Sequence, residues 1–203
     1  SNEAKNTAPK ESETLDTSLL LKGRSTRGIP EVIFIEDVKS FLDLLEQKTN
    51  APVPVETVIG AFNELYSKYK LFEANLDQTK ANMKAKVPEI ERSLELLAHL
   101  VTSCEEGKEI KTRYSVADTI YGTAKLKDEG NVFVWLGANV MLEYTYSEAS
   151  ELLSKSLSNA KQKLKETSED MEFIRNNTIT VEVNMARIFN WDVKKRREKE
   201  QQK

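Results

Sequence analysis

The feature that most constrains this chain is a stripe of apolar residues between Val55 and Ser103, spaced alternately three and four positions apart. With Thr79 filling one gap, its members are Val58, Phe62, Leu65, Tyr69, Phe72, Leu76, Met83, Val87, Ile90, Leu94, Leu97 and Val101. Heptad spacing with one stutter, at 76–87, is typical of a coiled-coil seam. The sequence therefore predicts helix 1 over residues 55–103, continuous through Pro88 beside the stutter, with a length of about 70 Å.

A second stripe predicts helix 2 over residues 147–197, capped by Thr145 or Ser147. Its members are Ala149, Leu153, Leu157, Ala160, Leu164, Thr167, Met171, Ile174, Thr178, Val181, Met185 and Ile188. The two helices have matching lengths, so we expect an antiparallel coiled coil in which the numbers of facing residues add up to about 250. In that register each seam threonine lies opposite a large residue, as packing at constant volume requires.

The segment between the helices, residues 112–144, has a β pattern rather than a helical one. Two pairs of short apolar runs, each pair joined by turn residues, predict two β-hairpins. The strand at 132–136 is apolar on both faces, and an isolated hairpin is at best marginally stable in water. The hairpins are therefore predicted to assemble with other chains, through Val132, Val134, Trp135, Leu136, Val140 and Leu142.

The ends of the chain differ from the stripes. Residues 1–27 are polar and are predicted to be a disordered arm. Residues 28–54 are predicted to be a docking segment and linker, with a short helix from Asp37, and residues 198–203 a charged tail. The basic run at 194–197 has two interpretations: favourable charge at a helix C-terminus, or a binding site for RNA, an import receptor or an acidic protein.

Composition excludes several classes of function. The seven glycines form no phosphate-binding motif, and one His and one Cys cannot build a metal site. We therefore expect the protein to have no enzymatic activity and to bind no cofactor and no metal. The net charge of −3 and the lack of a known module argue against nucleic acid. The sequence has no apolar run long enough to predict a membrane span. A single cysteine and a polar start without a secretory pattern predict a cytoplasmic protein.

A helix, two hairpins and a matching helix resemble the α class of the prefoldin family. The resemblance is carried by the run from Val132 to Tyr144, by Ser147-Glu148-Ala149, and by three further motifs: Arg27-Gly28-Ile29-Pro30, Lys86-Val87-Pro88-Glu89-Ile90 and the run from Glu182 to Val193. It implies a mainly α fold with a small β part, in which the hairpins form an oligomeric β-barrel.

The resemblance also implies a function and partners. Two α-class and four β-class subunits would form a heterohexamer that captures unfolded actin and tubulin without ATP and delivers them to the cytosolic chaperonin. Client contact is expected at the coiled-coil tips, at Val58, Ile59, Phe62, Ile188, Phe189 and Trp191, although these side chains are equally suited to packing within the tip. The alternative function is a coiled-coil scaffold or tether without chaperone activity, which would need the helices but not the hairpins.

Overall fold

The computed structural model describes residues 15–126 and 130–201. Its helices are α1 (Val38–Thr49), α2 (Val55–Glu105) and α3 (Tyr146–Gln201), and its strands are β1 (Leu21–Arg24), β2 (Pro30–Val32), β3 (Ile110–Ala117), β4 (Ile120–Leu126), β5 (Asn131–Gly137) and β6 (Val140–Thr145). The chain divides into two compact units. The terminal unit contains the described residues up to Asp77 and from Glu169 onward, and the hairpin unit contains those between them.

The two long helices of the prediction are present, each slightly longer than expected. Helix α2 runs uninterrupted through Pro88. Helix α3 begins with a capping box, in which the Thr145 hydroxyl donates to the Glu148 carboxylate at 2.8 Å and accepts from the Glu148 N–H at 3.4 Å. The hydrogen bonds from the hydroxyl and backbone of Thr145 lower the pKa of Glu148. This reciprocal bonding satisfies donors that the first turn of a helix leaves unpaired.

Ion pairs within each unit indicate the antiparallel register of α2 and α3. The terminal unit contains Glu56–Arg196 and Glu73–Arg175, and the hairpin unit contains Glu91–Lys161. The residue numbers of these pairs add up to 252, 248 and 252, in agreement with the predicted value of about 250. The seam threonines Thr167 and Thr178 are buried, and their hydroxyls donate to the carbonyls of the preceding turn, so that a polar residue is tolerated there.

The N-terminal prediction was wrong for residues 15–27. A 3-10 helix at Thr17–Leu20 leads into β1, which pairs with β2, and Leu20 is completely buried in the same core as Val32 and Ile35. Burial of apolar side chains such as Leu20 orders a segment whose average composition is polar. The predictions for residues 1–14 and 202–203 lie outside the described residues.

The short helix predicted from Asp37 is present as α1. The Asp37 side chain accepts hydrogen bonds from the N–H groups of Lys39 and Ser40, and Asn50 ends the helix in the left-handed conformation. Its apolar face, formed by Val38, Phe41, Leu42 and Leu45, is buried in the core of the terminal unit. Helix α1 therefore docks through an amphipathic face, as the docking segment was expected to do.

The hairpin unit contains two separate two-stranded antiparallel sheets, β3–β4 and β5–β6. Neither hairpin pairs with another strand of this chain among the described residues. Residues 127–129, which connect the two hairpins, lie outside those residues. The hairpins of the prediction are therefore present, whereas a barrel would require strands from further chains.

Candidate functional site

The hairpin β3–β4 has two chemically different faces. Because directly opposed residues of an antiparallel pair project to the same side, the pairs Ile110–Leu126, Thr112–Ala124 and Tyr114–Gly122 form one face. The alternate pairs, Lys111–Lys125, Arg113–Thr123 and Ser115–Tyr121, form the other. The first face is mostly apolar and the second mostly basic. On the basic face Glu109 forms ion pairs with both Lys111 and Lys125, which reduces the repulsion between the two lysines.

Gly122 leaves space for the ring of Tyr114. A Cβ placed on Gly122 would lie 2.8 Å from Cζ of Tyr114, which is closer than side chains approach. Tyr114 is nevertheless more than half exposed. The Tyr114 ring thus occupies the space beside the glycine of the opposite strand.

The hairpin β5–β6 is more apolar. The register pairs Phe133 with Glu143, Val134 with Leu142 and Trp135 with Met141. Phe133 and Trp135 therefore share one face, where they are 66% and 61% exposed. Val132 and Val134 lie on the opposite face, where they are half-buried. Residues of both faces, Phe133 and Trp135 included, border a groove that Ile90 and Leu97 of α2 and Leu153 of α3 also line. The Val132–Val134 face of β5 is thus the more buried one, and the Phe133–Trp135 face is the more exposed one.

In the terminal unit, positions spaced seven apart on α3 bind the N-terminal segment. Asp170 forms an ion pair with Arg27 at 2.6 Å, and the side-chain oxygens of Asn177 and Asn184 accept from the N–H groups of Val32 and Ile35 at 2.8 and 3.0 Å. Both asparagines are buried. Heptad-spaced residues stay on one side of a coiled-coil helix, so one flank of α3 is covered by this segment.

The sequence relatives decide the family of this chain. Residues 69–191 match the family profile described as "Prefoldin subunit". Mouse prefoldin subunit 3 is 44% identical over 169 residues, covering 83% of this chain and 84% of the mouse protein. The yeast protein of the same name is 36% identical over 196 residues, covering 92% and 95%. The chain belongs to the prefoldin family. A chain of filamentous PFD from Methanocaldococcus jannaschii is similar to 60% of it, with 17% identity and a TM-score of 0.48.

The resemblance inferred from the prefoldin motifs is thereby confirmed. The alignments with the mouse and yeast proteins extend over most of the chain. The family assignment therefore covers the helices and both hairpins, and not a single motif. Within the described residues, no helix of this prefoldin chain is long and apolar enough to cross a membrane. The same residues contain no group of three or more His, Cys, Asp or Glu placed to bind a metal ion.

Four of the six predicted assembly residues of the prefoldin chain are exposed, namely Trp135, Leu136, Val140 and Leu142. Val132 and Val134 are half-buried beside the chain's own helices. The prediction omitted further exposed apolar residues of the hairpins: Tyr114, Val116, Ile120, Tyr121, Leu126, Phe133 and Met141. For the residues of β3 and β4, the apolar positions within these short runs were the signal that would have indicated them.

The predicted client residues of the prefoldin chain are divided by their burial. Val58, Phe62 and Ile188 have no exposed surface and belong to the core, so the structure corrects their assignment as a client surface. A side chain that fills the seam has no area left for another chain. Ile59 and Trp191 are half-buried against that core, and the Trp191 ring also stacks under Lys195 at 4.4 Å.

Phe189 is the one predicted client residue that is largely exposed, at 58%. Ile179 and Val183 are two further exposed apolar residues of α3. Ile179 and Val183 are four positions apart and therefore lie on the same side of the helix, a spacing that is visible in the sequence. The candidate client surface of the terminal unit is therefore Phe189, with Ile179 and Val183 as additions.

Proposed function

We propose that this chain is a subunit of a heterohexameric, ATP-independent co-chaperone, in which its hairpins join those of one further α-class and four β-class prefoldin subunits. The observation that carries this proposal is the concentration of exposed apolar surface on the hairpins. Of the nineteen large apolar side chains exposed in the described residues, eleven lie on β3–β6. Monomeric proteins rarely expose contiguous apolar surface on this scale, because it favours association.

The strand edges support the same proposal. Within the described residues each hairpin is a two-stranded sheet, so both outer edges carry N–H and C=O groups that no further strand pairs. Such edges favour pairing with strands of another chain. Closure of hairpins from six subunits into one β-barrel would pair these edges and bury the apolar faces in a single step. A coiled-coil tether would need neither, which makes that alternative the weaker one.

The proposed activity is capture of unfolded proteins, such as nascent actin and tubulin, and their delivery to the cytosolic chaperonin in the cytoplasm. A protein that binds many unfolded chains needs modest apolar surface displayed at several points, since weak contacts then combine through effective concentration. Phe189, Ile179 and Val183 supply such surface at separate points of the terminal unit. No nucleotide is required in this proposal, because the binding energy comes from burial of apolar area.

Co-expression with the five partner subunits, followed by native mass spectrometry, tests the proposal. We expect a hexamer with the unmodified chain and loss of the hexamer with Phe133→Glu combined with Trp135→Glu, since burial of an unpaired charge is costly. Leu71→Glu is the matched control, because Leu71 is equally exposed but lies on α2 in the terminal unit. Hexamers that form normally with the double variant would contradict the proposed interface.

A further inference from the structure

Residues 29–35, called the strap below, dock in the terminal unit through their main chain. The Pro30 carbonyl accepts from the Tyr69 hydroxyl at 2.6 Å, and the N–H groups of Val32 and Ile35 donate to Asn177 and Asn184. Two further bonds join the strap to α3, from Asn184 Nδ2 to the Ile33 carbonyl at 2.7 Å and from Arg187 to the Ile35 carbonyl at 2.8 Å. All five bonds use strap backbone atoms, so this part of the recognition is independent of the strap's side chains.

The side chains of the strap add only a simple apolar pattern. Val32 and Ile35 are buried, whereas Phe34 between them is 54% exposed, with its ring beside the guanidinium of Arg187. Two apolar sockets and a row of main-chain partners can bind many extended segments, because backbone hydrogen bonds supply affinity and the sockets supply limited specificity. This combination is suited to an unfolded polypeptide.

The buried polar groups of the site require an extended partner. The amide of Asn184 is completely buried and uses both its oxygen and its nitrogen on the strap. Burial raises the pKa of Tyr69, which keeps its phenol protonated as a donor to Pro30. A docked helix has no free backbone groups in its interior, since they are bonded internally. A bound partner without free backbone N–H and C=O groups would leave the buried amide of Asn184 unpaired, at a cost in free energy.

The strap is followed by a docked helix and contains a short strand of low expected stability. Helix α1, which follows it, has a buried apolar face of its own in the same core cluster as Val32 and Ile35, and we expect this face to keep α1 docked when the strap leaves. Strand β2 within the strap has only three residues and, in the part of the chain that the structure describes, pairs only with β1, with an irregularity in register. Two-stranded sheets are marginally stable, and segments of low local stability open without global unfolding.

We infer that the site formed by Tyr69, Asn177, Asn184 and Arg187 is a binding site for an extended apolar segment of an unfolded polypeptide, occupied in the resting protein by the strap. The inference rests on the proposed chaperone function and names a site for it. The strap is tethered and has a high effective concentration. A client already bound elsewhere on the assembly also has a high effective concentration at the site and displaces the strap. A free peptide lacks this effective concentration and competes poorly.

Hydrogen–deuterium exchange of the assembled complex tests the displacement. The probe is reduced, carboxymethylated α-lactalbumin, a protein that stays unfolded. We expect the backbone amides of the strap to exchange faster when the probe is bound, while those of α1 keep their protection. If the complex captures the probe and the strap stays protected, the inference is wrong and the proposed function stands. If the complex captures no probe, the proposed function itself fails.

A peptide with the sequence of residues 28–37 tests the site directly in the full-length chain. In the unmodified protein the strap occupies the site, and binding is expected to be weak. Val32→Asp with Ile35→Asp in the chain loosens the strap but leaves its partners intact, so the apparent Kd should fall about tenfold as the accessible fraction rises. Adding Asn177→Ala and Asn184→Ala should abolish this gain, whereas adding Asn176→Ala and Asn190→Ala, at exposed asparagines of the same helix, should not.

Equal peptide affinity for the unmodified and loosened chains would overturn the inference, as would a gain that survives the loss of both buried asparagines. Circular dichroism at the helical bands separates these outcomes from unfolding. If the loosened chain loses helix, Arg27→Ala serves as a milder second variant, because Arg27 joins the N-terminal segment to Glu169 and Asp170 through exposed ion pairs. It should give a smaller gain in the same direction.

Discussion

The side-chain amide of Asn184 binds both the N–H of Ile35 and the carbonyl of Ile33, which precede it by 149 and 151 positions. The amide therefore bonds the extended segment with one acceptor and one donor, as the backbone of a neighbouring β-strand would. Its burial is complete, and a buried amide is tolerated because every bonding group has a partner. This contact explains how a segment of extended chain is fixed against a coiled coil.

Replacement of Asn184 tests the contribution of this contact to stability. Asn184→Ala leaves a buried N–H and a buried carbonyl of the strap without partners, so we expect the free energy of unfolding to fall by about 2 kcal/mol or more. Chemical denaturation followed by circular dichroism measures it. Asn176→Ala, on the exposed side of the same helix, should change stability by no more than about 0.5 kcal/mol. Equal effects would show that the amide contact contributes nothing specific.

Disulfide formation tests the register of α2 and α3. Leu65→Cys with Met185→Cys, in a Cys104→Ser background, should give an intramolecular disulfide under mild oxidation, because the ion pairs Glu56–Arg196 and Glu73–Arg175 on either side fix this alignment. Non-reducing electrophoresis detects the product. The control pair, Leu65→Cys with Thr178→Cys, is offset by two turns and should stay reduced. Cross-linking of both pairs to the same extent would refute the register.

The two faces of β5 predict two different mutant phenotypes. Val134 is half-buried beside the chain's own helices, so Val134→Asp should lower both the melting temperature of the isolated chain and its incorporation into a hexamer. Phe133 is exposed, so Phe133→Glu should impair incorporation alone. Thermal denaturation and size-exclusion chromatography measure the two effects. An unchanged melting temperature for Val134→Asp would mean that this face is not covered by the helices.

Gly122 provides a separate test of the first hairpin. Any side chain at this position meets the ring of Tyr114, which must move away from the opposite strand. We expect Gly122→Val to weaken hexamer assembly, because Tyr114 is an exposed part of the apolar face. Adding Tyr114→Ala to Gly122→Val removes the clash. Assembly of Gly122→Val that equals assembly of the unmodified chain would show that the ring position is unimportant.

Capture of unfolded actin tests the candidate client surface. Phe189→Ser should weaken capture by the assembled hexamer without altering assembly, since the exposed ring contributes little to the core of its own chain. The effect is expected to be modest, because five other subunits also bind the client. A quantitative binding curve is therefore needed, with Leu71→Ser as an equally exposed control. Identical curves for both variants would remove Phe189 from the client surface.

The sequence by itself determined the helices, their register and the hairpins. Heptad spacing fixes which side of each helix is apolar, and the lengths of the two stripes leave one antiparallel alignment in which threonines meet large residues. Thr145 and Glu148, and Asp37 at the start of α1, predicted their helix starts because capping is a local interaction. The family motifs were likewise contiguous in sequence.

Only the tertiary structure decided the roles of the N-terminal segment and of single apolar residues. Leu20 and Ile35 are buried through contacts with residues far along the chain, and Asn177 and Asn184 bind a segment about 145 positions away. The sequence shows which residues are apolar, but it does not show which other elements of the chain cover them. Val58 and Phe189 are both apolar residues of the terminal unit, yet one is fully buried and the other largely exposed, because burial depends on packing across elements that are distant in sequence.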